Sequence, residues 1–244
     1  MTRSEDEWLN RYFSAHSLDL TPATLRDKAC VLYVSSSTDI ELSKHCATVL
    51  SMTELLRADR FASETDRSHF YQRRAFRRFC GTFALESSQS LSQIDFEETK
   101  NGRPYLSGRP GFWFSFSSCR SGFLGSWSPT HGIGVDIEDP SKPLEAVDLA
   151  QRFFSKTEAH AVKVTDEKER LLTFFKFWCV KEAALKSIGE GLSFGLDAFE
   201  FELNPYLRVI DAPADHGGPS LFNAQMIEGT GCCAAAVIRR HAGE

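Results

Sequence analysis

Two acidic clusters carry residue types able to do chemistry: Gly132-Ile-Gly-Val-Asp-Ile-Glu-Asp139 and Trp178-Cys-Val-Lys-Glu-Ala-Ala-Leu-Lys186. Read as a strand, the first puts Ile133, Val135 and Ile137 on one face and Gly134, Asp136 and Glu138 on the other. Two strand steps separate Asp136 and Glu138 by ~7 Å at the backbone, so their carboxylates can converge on one cation. The glycines leave room for a ligand or a second backbone. The plainer alternative is an edge strand with two solvated acids. In the second cluster Leu171, Phe175, Trp178, Glu182 and Leu185 share one face at helical spacing. Glu182 therefore sits at the margin of an apolar stripe, where an unpaired charge is costly. Lys181 or Lys186 can neutralise it; the alternative is a metal shared with Asp136 and Glu138. Lys186, one turn beyond Glu182, can reach a phosphate oxygen as a point charge. Three carboxylates beside a lysine pair suit a hard divalent cation held against a phosphate or diphosphate.

Basic residues gather earlier in the chain. Ser63-x-x-Asp66 opens a predicted helix reaching about Leu85, which carries Arg67, Arg73, Arg74, Arg77 and Arg78. Spacings of seven and four put Arg67, Arg74 and Arg78 near one face, either as a solvated basic surface or as a phosphate clamp. Arg57 and Arg103 are weaker members of the same set. Glu158 completes a capping box with Ser155 and needs no other role. The histidines show no metal-ligand spacing, and no nucleophile elbow or phosphate-binding glycine loop occurs.

The elements that must position these residues can be read from pattern. Residues 1–28 form a polar lead-in with some helix. Ala29-Cys-Val-Leu-Tyr-Val34 is a short β-prone run. Ser51-x-x-Glu54 opens a short helix, and Gln93-Ile-Asp-Phe-Glu-Glu98 alternates as a strand before a turn at Asn101-Gly102. Phe112–Ser118 and Gly122–Trp127 pair around a polar turn, and Gly132–Ile137 is a further strand. Capping patterns at Ser155 and Asp166 open two helices, the second running to Ile188 and stopping at Gly189. Strands near 198–203, 206–210 and 232–238 complete the chain. This order predicts an α+β protein of two similar lobes, residues 1–131 and 132–244, each an antiparallel sheet packed with helices. Ser128-Pro-Thr-His131 is the seam, and a ligand site falls between the lobes.

Composition excludes several classes. The chain has 244 residues, 42% hydrophobic and 25% charged, with a net charge of −5; this fits a globular protein and argues against nucleic acid as the main partner. Residues 1–131 carry 16 basic against 15 acidic side chains, and residues 132–244 carry 12 against 18. One half can thus offer cations to an anionic ligand and the other carboxylates to a metal. No apolar run approaches the ~20 residues of a membrane span. The polar N-terminus lacks a signal-peptide core, so a cytoplasmic location is expected. Seven cysteines without a Cys-x-x-Cys pair read as reduced thiols in the core.

With these motifs the chain resembles a 4′-phosphopantetheinyl transferase of the surfactin-synthetase-activating (Sfp) type. Gly132-Ile-Gly-Val-Asp-Ile-Glu138 is similar to the family's metal-binding motif, and Arg152-Phe-Phe-Ser-Lys-Thr-Glu158 to a connecting stretch. Trp178–Lys186, continuing into Gly189-Glu-Gly-Leu192, is similar to its signature. Asn101-Gly-Arg-Pro104 and Phe114-Ser-Phe-Ser-Ser118 match more weakly, and the ordered set spans about residues 51–238. The resemblance implies a monomer with coenzyme A and Mg²⁺ between two α+β halves. It implies that Asp136, Glu138 and Glu182 hold the metal, that Lys186 contacts phosphate and that Lys181 supports the site. Arg57, Arg74, Arg103 and Ser117 fall where similar enzymes contact the nucleotide end. Ser118 stands where relatives usually carry a histidine against the 3′-phosphate, which leaves that phosphate without this charge. The implied reaction moves the phosphopantetheine arm of coenzyme A to a serine of an apo acyl or peptidyl carrier protein, releasing adenosine 3′,5′-bisphosphate. Glu182 or a metal-bound water would take the serine proton. The carrier could serve fatty acid, polyketide or nonribosomal peptide synthesis. The rival functions are a metal-dependent hydrolase of nucleotide diphosphates and a non-catalytic module that binds carrier protein or coenzyme A.

Overall fold

The structure, a computed structural model, describes residues 3–23, 29–86 and 89–240. The chain opens with α1 (Arg3–His16) and the short strand β1 (Leu18–Asp19), followed by β2 (Cys30–Ser35), α2 (Ile40–Thr48), α3 (Met52–Ala58) and α4 (Glu64–Ala84). The hairpin of β3 (Phe96–Glu98) and β4 (Pro104–Leu106) precedes β5 (Trp113–Cys119) and β6 (Gly122–Ser128). After the seam come β7 (Gly132–Glu138), α5 (Ala146–Phe153), α6 (Lys156–Val164), α7 (Glu167–Ser187), β8 (Glu200–Glu202), β9 (Arg208–Asp211), β10 (Phe222–Met226) and β11 (Cys233–Arg239). The fold is α+β.

Its two main sheets are antiparallel, in the orders β1-β2-β6-β5 and β10-β11-β7. All strands of the first end at or before Ser128, and all strands of the second follow His131. Alternation decides what each face meets. Val31, Tyr33 and Leu124 from the first sheet meet Ile133, Val135, Ile137, Ala234, Ala236 and Ile238 from the second in a shared buried cluster. The other face of the first sheet packs Leu32, Val34, Phe114 and Phe123 against Phe70, Phe76 and Phe79 of α4. The other face of the second packs Cys233, Ala235 and Val237 against α7. Many of the chain's phenylalanines are spent in these two layers, each buried ring contributing about 2–3 kcal/mol.

Several local expectations meet the structure directly. Ser51 and Ser155 form complete capping boxes with Glu54 and Glu158, and Ser63 and Asp166 cap α4 and α7. α7 ends in a Schellman arrangement: Gly189 N–H donates to Lys186 O, Glu190 N–H donates to Leu185 O, and Gly189 has φ 79°. The lead-in is less polar in role than in composition, because Leu9 and Phe13 of α1 are fully buried; residues 1–2 and 24–28 of that segment lie outside the described residues. The strand expected from Gln93 begins at Phe96, since Leu91–Gln93 forms a 3₁₀ turn. Several elements carried no readable signal, α2, α5 and β10 among them. α2 is capped by Asp39 without a capping box, α5 has no side-chain cap, and β10 is an edge strand with little β-branching.

The contact that positions the acids is the crossing of β7 and α7. A Cβ built on Gly134 would lie 1.9 Å from Ala183 O and 2.6 Å from Ser187 N, and one on Gly132 would lie 2.1 Å from Ser187 O. The glycines thus admit the helix backbone itself. Gly134→Ala should force the helix outward, lowering stability by about 3 kcal/mol or more and separating Asp136 from Lys186. Chemical denaturation of the variant checks this; unchanged stability would mean the crossing tolerates a methyl group.

Candidate functional site

Beyond Gly134 on the same face of β7 comes Asp136, 4% exposed and facing α7. Its Oδ1 accepts from Lys186 Nζ at 2.7 Å and from Ser117 Oγ at 2.7 Å. Its Oδ2 is buried with no hydrogen-bond partner. Lys186 Nζ also donates to Val135 O at 3.2 Å and lies 4.0 Å from Glu182. Glu138, two residues on, is more open and pairs with Lys142 at 3.0 Å. The electrostatics follow from this crowding. Burial pushes the Glu182 carboxyl upward; Lys186 opposes the shift, while Asp136 and Glu138 add to it. Burial lowers the Lys186 ammonium, but Asp136 and Glu182 outweigh it, leaving the group above the ordinary lysine range.

Glu182 and Lys186 also form one wall of a cavity of about 190 Å³, and Arg77, Arg103, Phe114 and Phe116 from the N-terminal half line it too. Arg103 lies with its guanidinium 4.1 Å from the Trp113 ring centroid, and Arg77 lies 4.9 Å from that of Phe116. The β3–β4 hairpin delivers Arg103, and Asn101 ties the hairpin to the loop after α7 by donating to Glu190 at 2.9 Å. A larger cleft of about 870 Å³ lies between α2 and α4. None of the predicted catalytic or metal residues is on its wall.

Other predicted site residues are placed differently. Lys181 was expected beside the acids, but it is fully buried away from them, 2.6 Å from the fully buried Glu158 and donating to Phe199 O. A helical step of one residue turns a side chain by about 100°, which carries Lys181 off the face of Glu182. Glu158 has a role beyond capping, since it also accepts from Phe201 N–H at 2.9 Å. Arg74 and Arg78 are both committed to the buried Glu54, Arg78 at 2.7 Å, and Arg67 pairs with Glu64. The trio read as a solvated basic surface or a phosphate clamp is therefore engaged by Glu54 and Glu64. Ser117 donates to Asp136, and alternation puts the partly exposed Ser118 on the opposite face of β5. Arg57 lies 5.8 Å from the Phe70 ring centroid. Arg77 was passed over because helical spacing alone grouped its neighbours; its place over Phe116 depends on how α4 packs across β5.

Comparison with known proteins bears on the same residues. Residues 132–230, which include both acidic clusters, match the family model described as the 4′-phosphopantetheinyl transferase superfamily. The chain is 32% identical over 166 residues to the 4′-phosphopantetheinyl transferase HetI of Nostoc sp., covering 65% of this chain and 67% of that protein. It belongs to the 4′-phosphopantetheinyl transferase superfamily. It is also similar to the transferase psf-1 of Bacillus pumilus, 30% identical over 138 residues, and to Sfp of Bacillus subtilis, 33% over 126 residues. Those alignments cover 57% and 51% of this chain, and 58% and 55% of the respective relatives.

The superfamily assignment raises the question of whether these residues fit a divalent cation. Among the described residues no group of three His, Cys, Asp or Glu is already gathered as a metal cage. The donor chemistry nonetheless fits: Asp136, Glu138 and Glu182 offer only oxygens, and the orphaned Oδ2 of Asp136 is a buried acceptor in need of a positive partner.

Two tests separate the structural charges from the cavity's. Lys181→Met leaves Glu158 buried without its cation and should cost about 3–5 kcal/mol in urea unfolding, while the folded fraction keeps the Asp136–Lys186 contact. For Glu54, burial alone would raise its pKa, but Arg78 and Arg74 override it and hold the group at about 2 against the ordinary 4.5. This pair stabilises the fold fully above pH 4.5, and the contribution fades as pH falls toward 2. The total is about 3 kcal/mol. The stability profile of Glu54→Gln should lack that slope.

Proposed function

We propose that this protein transfers the 4′-phosphopantetheine arm of coenzyme A to a serine of an apo acyl or peptidyl carrier protein. The observation that carries the reading is the cavity in which Lys186 and Glu182 face Arg77 and Arg103, with the half-satisfied Asp136 behind them. A diphosphate brings negative charge that such a set of cations can hold, and membership of the superfamily supplies the substrate class.

Asp136, Glu138 and Glu182 would hold Mg²⁺, which when bound supplies charge neutralisation on the diphosphate. Lys186, released from Asp136 by this exchange of partners, places its charge on the phosphoryl group being transferred. Arg103, stiffened by the Trp113 ring, holds the diphosphate from the other wall. The carrier serine oxygen bonds to the pantetheine-side phosphorus, and the bridging P–O bond breaks. Adenosine 3′,5′-bisphosphate leaves with the bridging oxygen. Glu182, which lines the cavity, is placed to take the serine proton. Both walls come from one chain, which supports action as a monomer.

Incubation with a fluorescent coenzyme A and apo carrier proteins tests this directly. The wild type should label the carrier in Mg²⁺ and lose labelling on chelation, and Glu182→Gln or Asp136→Ala should reduce the rate at least 100-fold. Unchanged labelling by either variant would overturn the assignment. Release of products from coenzyme A without any carrier would indicate a hydrolase instead.

A further inference from the structure

One face of β5 meets the C-terminal half of the chain at three successive positions. Ser115 Oγ accepts from Val135 N–H at 3.0 Å, Ser117 Oγ donates to Asp136 at 2.7 Å, and Cys119 Sγ lies 3.5 Å from Cys232 Sγ. Alternation puts residues 115, 117 and 119 on the same side of the strand, about 7 Å apart. The first two rungs are hydrogen bonds. The third is a pair of thiols in contact, one from each half of the chain.

Local structure fixes both thiols. Cys119 pairs with Gly122 across the tight turn that joins β5 to β6, and it is buried in the cluster between the two sheets. Cys232 ends the turn between β10 and β11. Gly229 and Gly231 have φ of 88° and 70° there, and Thr230 Oγ1 accepts from Cys232 N–H at 3.1 Å. Cys232 is partly exposed, whereas Cys233 falls on the opposite face, in the core against α7. Ser121 Oγ lies 2.9 Å from the sulfur of Cys232 and 3.3 Å from that of Cys119. One thiol is thus open to solvent and a second, shielded thiol stands directly behind it.

We infer that Cys119 and Cys232 form a reversible disulfide that staples the N-terminal and C-terminal halves together across the seam of β5 and β7. The oxidant is a low-molecular-weight disulfide such as oxidised glutathione. The Cys232 thiolate attacks it, its S–S bond breaks, and one small thiolate leaves. The Cys119 thiolate then attacks the Cys232 sulfur of the mixed disulfide, and the second small thiolate leaves. The two protons lost by the cysteines go to the two leaving groups, and the two electrons lost by the protein reduce the small disulfide. Burial raises the Cys232 thiol to about 11, with the Ser121 hydroxyl opposing the shift. Exchange is therefore slow at neutral pH, and the pair follows the standing poise of the thiol pool. The bridged residues lie 113 positions apart, so the bond removes much of the freedom of the unfolded chain. None of this depends on the transfer reading.

Equilibration of the full chain with oxidised glutathione, then with reduced glutathione, tests the staple. Thiol titration in denaturant should fall from the seven cysteines of the sequence to five after oxidation and return to seven after reduction. Peptide mapping without reductant should recover the segment holding Cys119 joined to the segment holding Cys232. Cys119→Ser and Cys232→Ser should each abolish that product, and Cys233→Ser should not. The oxidised wild type should melt about 5–10 °C above the reduced form, and the same treatment should leave Cys119→Ser without that gain. Seven thiols persisting after oxidation, a glutathione adduct on Cys232 that never closes onto Cys119, or an oxidised form that melts no higher than the reduced one would each overturn the inference. Mapping of the wild type decides the question even if a serine variant fails to fold.

Discussion

Close packing of β7 on α7 sets the distances on which the acidic cluster depends. Gly132 and Gly134 remove the side chains that would hold the helix off, and the backbone of Ala183–Ser187 settles against the strand. Once that approach is made, Asp136 meets Lys186 at hydrogen-bond distance and Glu182 lies on the same side. On the reverse face Ile133, Val135 and Ile137 lock the strand into the cluster between the sheets. One strand thus has two duties, anchoring the seam with its aliphatic face and presenting carboxylates with the other. Displacing the helix would lose the geometry without altering any of the charged residues.

Charge is handled in two distinct ways in this molecule. Lys181 with Glu158, and Glu54 with Arg74 and Arg78, are closed sets in which burial is matched by an opposite charge and by hydrogen bonds. Such sets resist disruption, because removing one member strands the other in a low-dielectric interior. The cavity is the reverse. Asp136 behind its wall keeps one oxygen without a partner, Glu182 is pushed toward its neutral form, and Arg77 and Arg103 line it as well. Their deficits are complementary to a cation and to phosphate groups. This incompleteness, more than the count of charged residues, distinguishes the cavity from the stabilising ion pairs around it.

Local signals were legible wherever a short stretch of sequence decides its own conformation. Capping boxes at Ser51 and Ser155, the caps at Ser63 and Asp166 and the glycine stop at Gly189 all lie within a few residues of what they control. The strands Gly122–Ser128 and Gly132–Glu138 were readable from period-two alternation. α5 was not, because its first residue lacks a capping side chain and it is held by packing on its neighbours. β10 likewise owes its conformation to pairing with β11, a partner that follows it and carries the stronger pattern.

For the site, strand alternation and helical spacing placed Asp136 and Glu138 on one strand face and Glu182 at an apolar margin, and the motif order named the family. Those are properties of residue order, since period and motif need no partner in space. Which lysine belongs with the acids was a tertiary matter: Lys181 and Lys186 stand on the same helix, and only the packing of α6 and β8 against one side and β7 against the other separates them. The arginines were divided in the same way. Arg74 and Arg78 go to Glu54 because α3 lies beside them, whereas Arg77 packs over Phe116 of β5. Sequence thus determined the conformations and the candidates. The tertiary structure decided which charges are satisfied, because satisfaction depends on groups far apart in the chain meeting within a few ångströms.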